Sequence, residues 1–101
     1  MKNINGVLIE TLSKKFIAAN MLEVEVGTNG FFGGDQGHGS RTYFKLKDLG
    51  GTDIEVLTKL SDESENAVEE VEIILGGDSE LSTFIQAISF ALKVLKLQAG
   101  Y

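Results

Sequence analysis

The sequence predicts an α+β fold in which an antiparallel sheet of about four strands, arranged as a meander, packs against a long C-terminal helix. Two patterns carry this prediction. Between residues 22 and 75, apolar residues alternate with charged ones in several short segments, as in strands that have one buried face. After residue 78 the apolar spacing changes to three and four, which is typical of an amphipathic helix.

The strands are expected where the alternation is strongest. Residues 22–26 alternate strictly, and residues 42–47 alternate again after an intervening glycine-rich segment. A third strand is predicted to begin at residues 54–56, and residues 71–75 form the fourth. The double glycine at 50–51 and the polar residues between 61 and 66 are turn signals that separate them.

Helices are expected at both ends of the chain. Residues 4–19 carry Leu8, Leu12 and Phe16 at helical spacing, which predicts an N-terminal helix. A second helix is predicted over residues 79–98, with Asp78 or Ser79 as its N-cap.

The C-terminal helix carries more apolar surface than one sheet covers. A helix on a sheet needs an apolar stripe of about a third of its circumference, and this helix has a second apolar set beside that stripe. Either the N-terminal helix or another subunit covers the surplus. The shortness of the chain favours a homo-oligomer, with Phe90, Val94 and Leu97 between subunits.

Length and composition indicate a single soluble domain spanning residues 1–101 in the cytoplasm. The chain is 43% hydrophobic and 24% charged, which is ordinary for a folded protein. It contains no cysteine, so disulfides and thiolate chemistry are excluded. No apolar run reaches the roughly 18 residues of a membrane-spanning helix, and Glu10 interrupts the N-terminal run too early for a signal peptide.

The glycine-rich segment of residues 27–39, G-T-N-G-F-F-G-G-D-Q-G-H-G, is the main functional candidate. It holds six of the twelve glycines and the single histidine, and Arg41, the single arginine, follows it. Backbone N–H groups of such a loop approach anions closely, aromatic faces stack on bases, and arginine pairs with phosphate. The candidate ligand-binding residues are Asn29, Phe31, Phe32, Gly33, Gly34, Asp35, His38, Ser40, Arg41 and Tyr43. The alternative is that the segment is a purely structural turn.

An enzyme is not expected. Asp35, His38 and Ser40 lie within six residues, but a catalytic triad needs rigid support from separate elements. A zinc site lacks a second histidine or a cysteine, and no cofactor or protein-held metal is expected. A magnesium ion shared by Asp35 and a bound phosphate remains open.

The pattern E-V-x-V-G-T-N-G-F-F-G-G-D-x-G-H-G-x-R-T-Y-F, followed by a strand, G-G-D and a helix, resembles small proteins of phages and prophages. Among characterised phage proteins of this size, the chain is similar to the nucleotide-signal sponges, such as the Thoeris anti-defence sponges. The resemblance implies a non-catalytic oligomer in the host cytoplasm that sequesters a cyclic nucleotide or cyclic ADP-ribose signal. No functional residue of this chain is assigned from the resemblance.

Two other classes of binding protein remain open. A phage inhibitor that binds a host defence protein, as anti-CRISPR proteins do, would use the acidic residues between 61 and 72. A small virion structural or assembly protein would use the apolar surface of the C-terminal helix.

The formal net charge of −6 generates the first testable prediction. Binding to a nucleic-acid backbone needs clustered Lys and Arg to displace counterions, and the sequence shows no such cluster. We therefore expect no retardation of random duplex DNA at moderate salt in an electrophoretic mobility assay. Salt-sensitive retardation would show that Arg41, Lys45 and Lys47 form a basic stripe.

Overall fold

The computed structural model describes residues 1–33, 39–52, 54, 56 and 70–101. These residues form six strands and one helix, which confirms the α+β class. The elements are β1 (Lys2–Ile4), β2 (Val7–Ile9), β3 (Thr11–Ile17), β4 (Met21–Thr28), β5 (Arg41–Gly50), β6 (Glu70–Gly76) and α1 (Asp78–Ala99).

The predicted four-stranded antiparallel meander is present, with the order β3-β4-β5-β6. The predicted strands at 22–26, 42–47 and 71–75 lie within β4, β5 and β6. The predicted strand at 54–56 is not seen, because Ile54 and Val56 lie outside any strand, and residue 55 is outside the described residues.

The predicted N-terminal helix over residues 4–19 is wrong. This segment forms a separate β1-β2 hairpin and then β3, the first strand of the meander. Asn5 and Gly6, with φ values of 51° and 86°, make the two-residue turn between Ile4 and Val7. An Asn-Gly pair between apolar residues is a strong hairpin signal, and it outweighs the helical spacing of Leu8 and Leu12.

Strand β3 forms because its length matches the strand beside it. Seven residue pairs join it to β4, from Thr11 opposite Gly27 to Ile17 opposite Met21. Helical spacing in a short segment is a weak signal, and pairing along a full strand overrides it.

The two faces of the sheet differ sharply in polarity. On the polar face, Lys45 lies 3.5 Å from Glu23 and 3.3 Å from Glu25, and the Thr11 hydroxyl donates to Glu25 at 2.6 Å. The Thr11 bond lowers the pKa of Glu25, and Lys45 acts in the same direction. Partial burial acts to lower the pKa of Lys45, but its contacts with Glu25 and Glu23 outweigh burial and raise it.

The opposite face, which we call the apolar face, is made of rows of side chains that cross the strands. One row runs through Leu12, Val26, Phe44 and Ile73, and the next through Lys14, Val24, Leu46 and Val71. A third row pairs Phe16 with Leu22 and ends at Asp48.

The buried core is small and is divided between the two faces. Among the described residues, the buried apolar side chains are Ile4, Ile9, Tyr43 and Leu81. The β1-β2 hairpin places Ile4 and Ile9 against Tyr43 on the polar face. Leu81 of α1 lies on the other side, where Phe84 meets Phe44 edge-on with ring centroids 5.8 Å apart.

The helix begins and ends at glycines. Gly77 is the N-cap residue and no side chain caps the helix, so the prediction that Asp78 or Ser79 is the N-cap is wrong. Gly100, at φ 78°, makes a left-handed C-cap, and the Tyr101 N–H donates to the Lys96 carbonyl at 2.9 Å. Over the described part of the chain, no helix combines the length and hydropathy needed to span a membrane.

The close approach of β3 and β4 at Gly27 generates the second prediction. A Cβ at Gly27 would lie 2.2 Å from the Glu10 carbonyl oxygen, whereas a Cβ at Gly76 would meet only ordinary contacts of 3.5 Å or more. We expect Gly27→Ala to lower the free energy of unfolding by about 1–3 kcal/mol, because the backbones must separate. Gly76→Ala is the matched control in urea unfolding, and equal effects of the two substitutions would contradict the prediction.

Candidate functional site

The glycine-rich loop leaves the sheet at the end of β4 and returns at the start of β5, and Asn29 holds the two sides together. The Asn29 amide nitrogen donates to the Gly39 carbonyl at 2.8 Å, and its amide oxygen accepts from the Arg41 N–H at 2.8 Å. The Thr28 hydroxyl adds a bond to the Arg41 carbonyl at 2.9 Å. These bonds continue the β4-β5 ladder by about one residue pair. We call this hydrogen-bonded base of the loop the neck.

A second set of contacts, which we call the Asp78 clamp, ties the loop to the helix. The Phe32 N–H donates to one carboxylate oxygen of Asp78 at 2.9 Å, and the Gly33 N–H donates to the other at 2.7 Å. Bonds from neutral N–H groups to an ionised carboxylate are among the stronger hydrogen bonds in proteins. Asp78 also lies in the first turn of α1, where a negative charge is favourable.

The clamp presents two aromatic side chains to solvent. Phe31 is 60% exposed and Phe32 is 57% exposed, although the loop backbone beside them is bound to Asp78. Exposed aromatic rings on an anchored backbone offer faces that lose little entropy when they bind a planar group.

Ser40 and Arg41 lie where the loop ends and β5 begins. The Ser40 carbonyl accepts from the Gly77 N–H at 3.1 Å and from Arg41 Nη1 at 2.8 Å, and the first of these bonds joins this end of the loop to the start of the helix. The Ser40 hydroxyl and Arg41 Nε are buried and have no hydrogen-bond partner among the described residues. The guanidinium of Arg41 is therefore oriented by the backbone while one of its N–H groups is left unpaired within that part of the chain.

Tyr43 belongs to the core rather than to an open site. Its side chain is 0% exposed, its hydroxyl donates to Glu72 at 2.5 Å, and Lys2 lies 4.7 Å above its ring centroid. Burial raises the pKa of the Tyr43 hydroxyl, and the hydrogen bond to Glu72 raises it further. The ring stabilises the contact between the hairpin and the sheet and offers no face to a ligand.

Three of the predicted site residues, Gly34, Asp35 and His38, lie outside the described residues. The acidic segment predicted to bind a partner also lies outside them, except for residues 70–72 at the start of β6. The predicted interface residues are on the exposed part of α1, where Phe90 and Leu97 are largely exposed and Val94 is half-buried.

The described part of the loop carries two exposed aromatic rings, and the guanidinium of Arg41, which follows the loop, is oriented by the Ser40 carbonyl. Among the described residues, no group of three or more His, Cys, Asp or Glu side chains is placed to hold a metal ion. The amides of Phe32 and Gly33, which are natural anion donors, are already bound to a carboxylate of the chain itself.

Asp78 is the residue whose role the sequence did not reveal. It was predicted only as a possible N-cap of the helix, whereas its carboxylate accepts a hydrogen bond from a loop residue 45 positions earlier in the chain. The repeat of Gly-Gly-Asp at residues 33–35 and 76–78 was the available signal, because it marks the two segments that the clamp joins.

Comparison with known proteins finds no match to this chain among protein-family models, curated proteins or solved structures.

The Asp78 clamp generates the third prediction. Asp78→Asn removes the charge that strengthens both bonds, and we expect the free energy of unfolding to fall by about 1–2 kcal/mol. We also expect faster hydrogen exchange at the Phe32 and Gly33 amides, measured by NMR.

Glu80→Gln is the matched control, since it removes a carboxylate from the same helical turn, where Glu80 Oε1 has no partner among the described residues. If the Phe32 and Gly33 amide protons exchange equally fast in both variants, the cause is the loss of a negative charge near the helix N-terminus and not the loss of the clamp.

Proposed function

We propose that this chain is a non-catalytic binding protein that sequesters a small phosphate-containing nucleotide at the glycine-rich loop. On the basis of the resemblance described above, we propose that the ligand is a cyclic nucleotide immune signal and that the protein acts as an anti-defence sponge of phage type. The observation that carries the proposal is the pair of exposed rings, Phe31 and Phe32, on a backbone anchored by Asn29 and Asp78.

The two rings are proposed to stack on the base. Stacking of a base on an aromatic side chain contributes about 1–3 kcal/mol and tolerates different bases. The neck at Asn29 and the Asp78 clamp support this role, because the rings need little ordering when the ligand binds.

The phosphate is proposed to bind Arg41. Its guanidinium is oriented by the Ser40 carbonyl, and its buried Nε has no partner among the described residues. A charge-assisted hydrogen bond of this kind contributes about 1.5–3 kcal/mol. The amides of Phe32 and Gly33 are omitted from this proposal because Asp78 already occupies them.

The fourth prediction tests this site with a panel of cyclic nucleotides and cyclic ADP-ribose isomers. We expect the protein to deplete one of them from solution and to release it intact on heating, which is the behaviour of a sponge. Phe31→Ala and Phe32→Ala should each weaken binding about tenfold, since one stacked ring is lost. Arg41→Ala should weaken it about tenfold or more.

Tyr101→Ala is the matched control, because it removes an aromatic ring that is 96% exposed at the far end of α1. Unfolding midpoints of all variants separate lost binding from lost structure. Release of a modified product would make the chain an enzyme, and no depletion of any panel member would reject the nucleotide site.

A second candidate function is a small virion structural or assembly protein. The exposure of apolar side chains along α1 and on the apolar face favours it, because such surfaces are typical of proteins that bind other subunits. Failure of the nucleotide panel together with strong self-association would favour this function.

A further inference from the structure

The apolar face is left largely open by the chain's own helix. Leu12 is 74% exposed and Phe16 is 49% exposed, and none of the apolar side chains in the three rows is buried. The first turns of α1 meet this face, where Leu81 is buried and Phe84 packs on Phe44. A groove of about 440 Å³ remains between the helix and the sheet, lined by Val26, Phe44, Phe84, Ile85 and Ile88 among others.

The helix has an equally open apolar surface on its other side. At 100° per residue, Phe90, Val94 and Leu97 lie roughly opposite Leu81, which faces the chain's own sheet. Phe90 is 69% exposed and Leu97 is 74% exposed. One side of α1 therefore packs on the chain's own sheet, and the other side carries large apolar groups that no described part of the chain covers.

The charges of the sheet do not oppose association through the apolar face. Glu23, Glu25, Glu70 and Glu72 all lie on the polar face, together with Lys45 and Lys47. On the apolar face, the charged residues in the three rows are Lys14 on the edge strand and Asp48 at the far end. A second copy can therefore approach this face while these four glutamates of both copies stay in solvent.

The dimensions of the helix fit this docking. Twenty-two residues give α1 a length of about 33 Å. Four strands spaced about 4.8 Å apart span about 14 Å between the outer strand axes. The part of α1 beyond Ile88 is therefore long enough to cross all four strands of a neighbouring sheet.

We propose that the chain forms a reciprocal dimer in which the Phe90, Val94 and Leu97 side of each helix covers the apolar face of a second copy. Each copy supplies one helix and one sheet face, so the interface is isologous and closes with two-fold symmetry. The proposal does not depend on the nucleotide site, because it uses neither Phe31, Phe32 nor Arg41.

Light scattering after size exclusion tests the assembly and provides the fifth prediction. We expect the wild-type chain at a mass of twice 10.9 kDa. The sheet variant Leu12→Glu/Phe16→Glu and the helix variant Phe90→Glu/Leu97→Glu should each raise the dissociation constant at least about 100-fold, since each removes two apolar groups and adds charge.

Matched controls carry the same change of two charges on neighbouring solvent-facing positions. The sheet control is Ser13→Glu/Lys15→Gln on the polar face of β3, and the helix control is Gln86→Glu/Lys93→Gln at two exposed polar positions of α1. Both controls should remain dimers. Circular dichroism of each variant shows that it is folded, which the exposure of all the substituted residues leads us to expect.

Mixing the two dissociated variants tests the helix-on-sheet geometry directly. In the mixed pair, the sheet variant supplies an intact helix and the helix variant supplies an intact apolar face, so one of the two contacts is restored. We expect heterodimers in native mass spectrometry at concentrations where each variant alone is monomeric. A monomeric wild type, a dimer that only the helix variant disrupts, or a mixture without heterodimers would overturn the proposal.

Discussion

Eight residue pairs join β4 to β5, and the positions of the other elements follow from that ladder. The pairing brings the two ends of the glycine-rich loop together at one end of the two central strands, where the Asn29 side chain continues the ladder. It also sorts the side chains, because alternation along paired strands puts Glu23, Glu25 and Lys45 on one face and Val24, Val26 and Phe44 on the other. The β1-β2 hairpin then covers part of the first face, and the start of α1 covers part of the second.

The loop and the helix depend on each other through a single carboxylate. Asp78 accepts from the Phe32 and Gly33 amides and is favourably placed at the positive end of α1, so one charge stabilises two elements. The helix start is further held by the bond between the Gly77 N–H and the Ser40 carbonyl. The proposed stacking site at Phe31 and Phe32 therefore lies beside the start of the helix whose far half is proposed to dock on a second copy.

Much of the fold was predictable because its signals are local. The alternation in β4, β5 and β6 and the apolar stripe of α1 were read correctly from short windows of sequence. The N-terminal helix was wrong because Leu8, Leu12 and Phe16 fit helical spacing, while the Asn5-Gly6 turn and the pairing of β3 with β4 decided the structure. Of the candidate site residues, Asn29 joins the two sides of the loop and Phe31 and Phe32 are exposed, whereas Tyr43 is buried against Ile4 and Ile9, which are distant in sequence.

The sequence alone determined the periodicity of each later element, the position of the glycine-rich loop and the surplus of apolar residues on the C-terminal helix. These properties depend on residues that are close together in the chain. The tertiary structure alone decided that Asp78 binds the loop, that the Gly77 N–H binds the Ser40 carbonyl, and that α1 leaves most of the apolar face open. Each of these depends on how residues of different elements are placed against one another, and only the strand register brings such residues together.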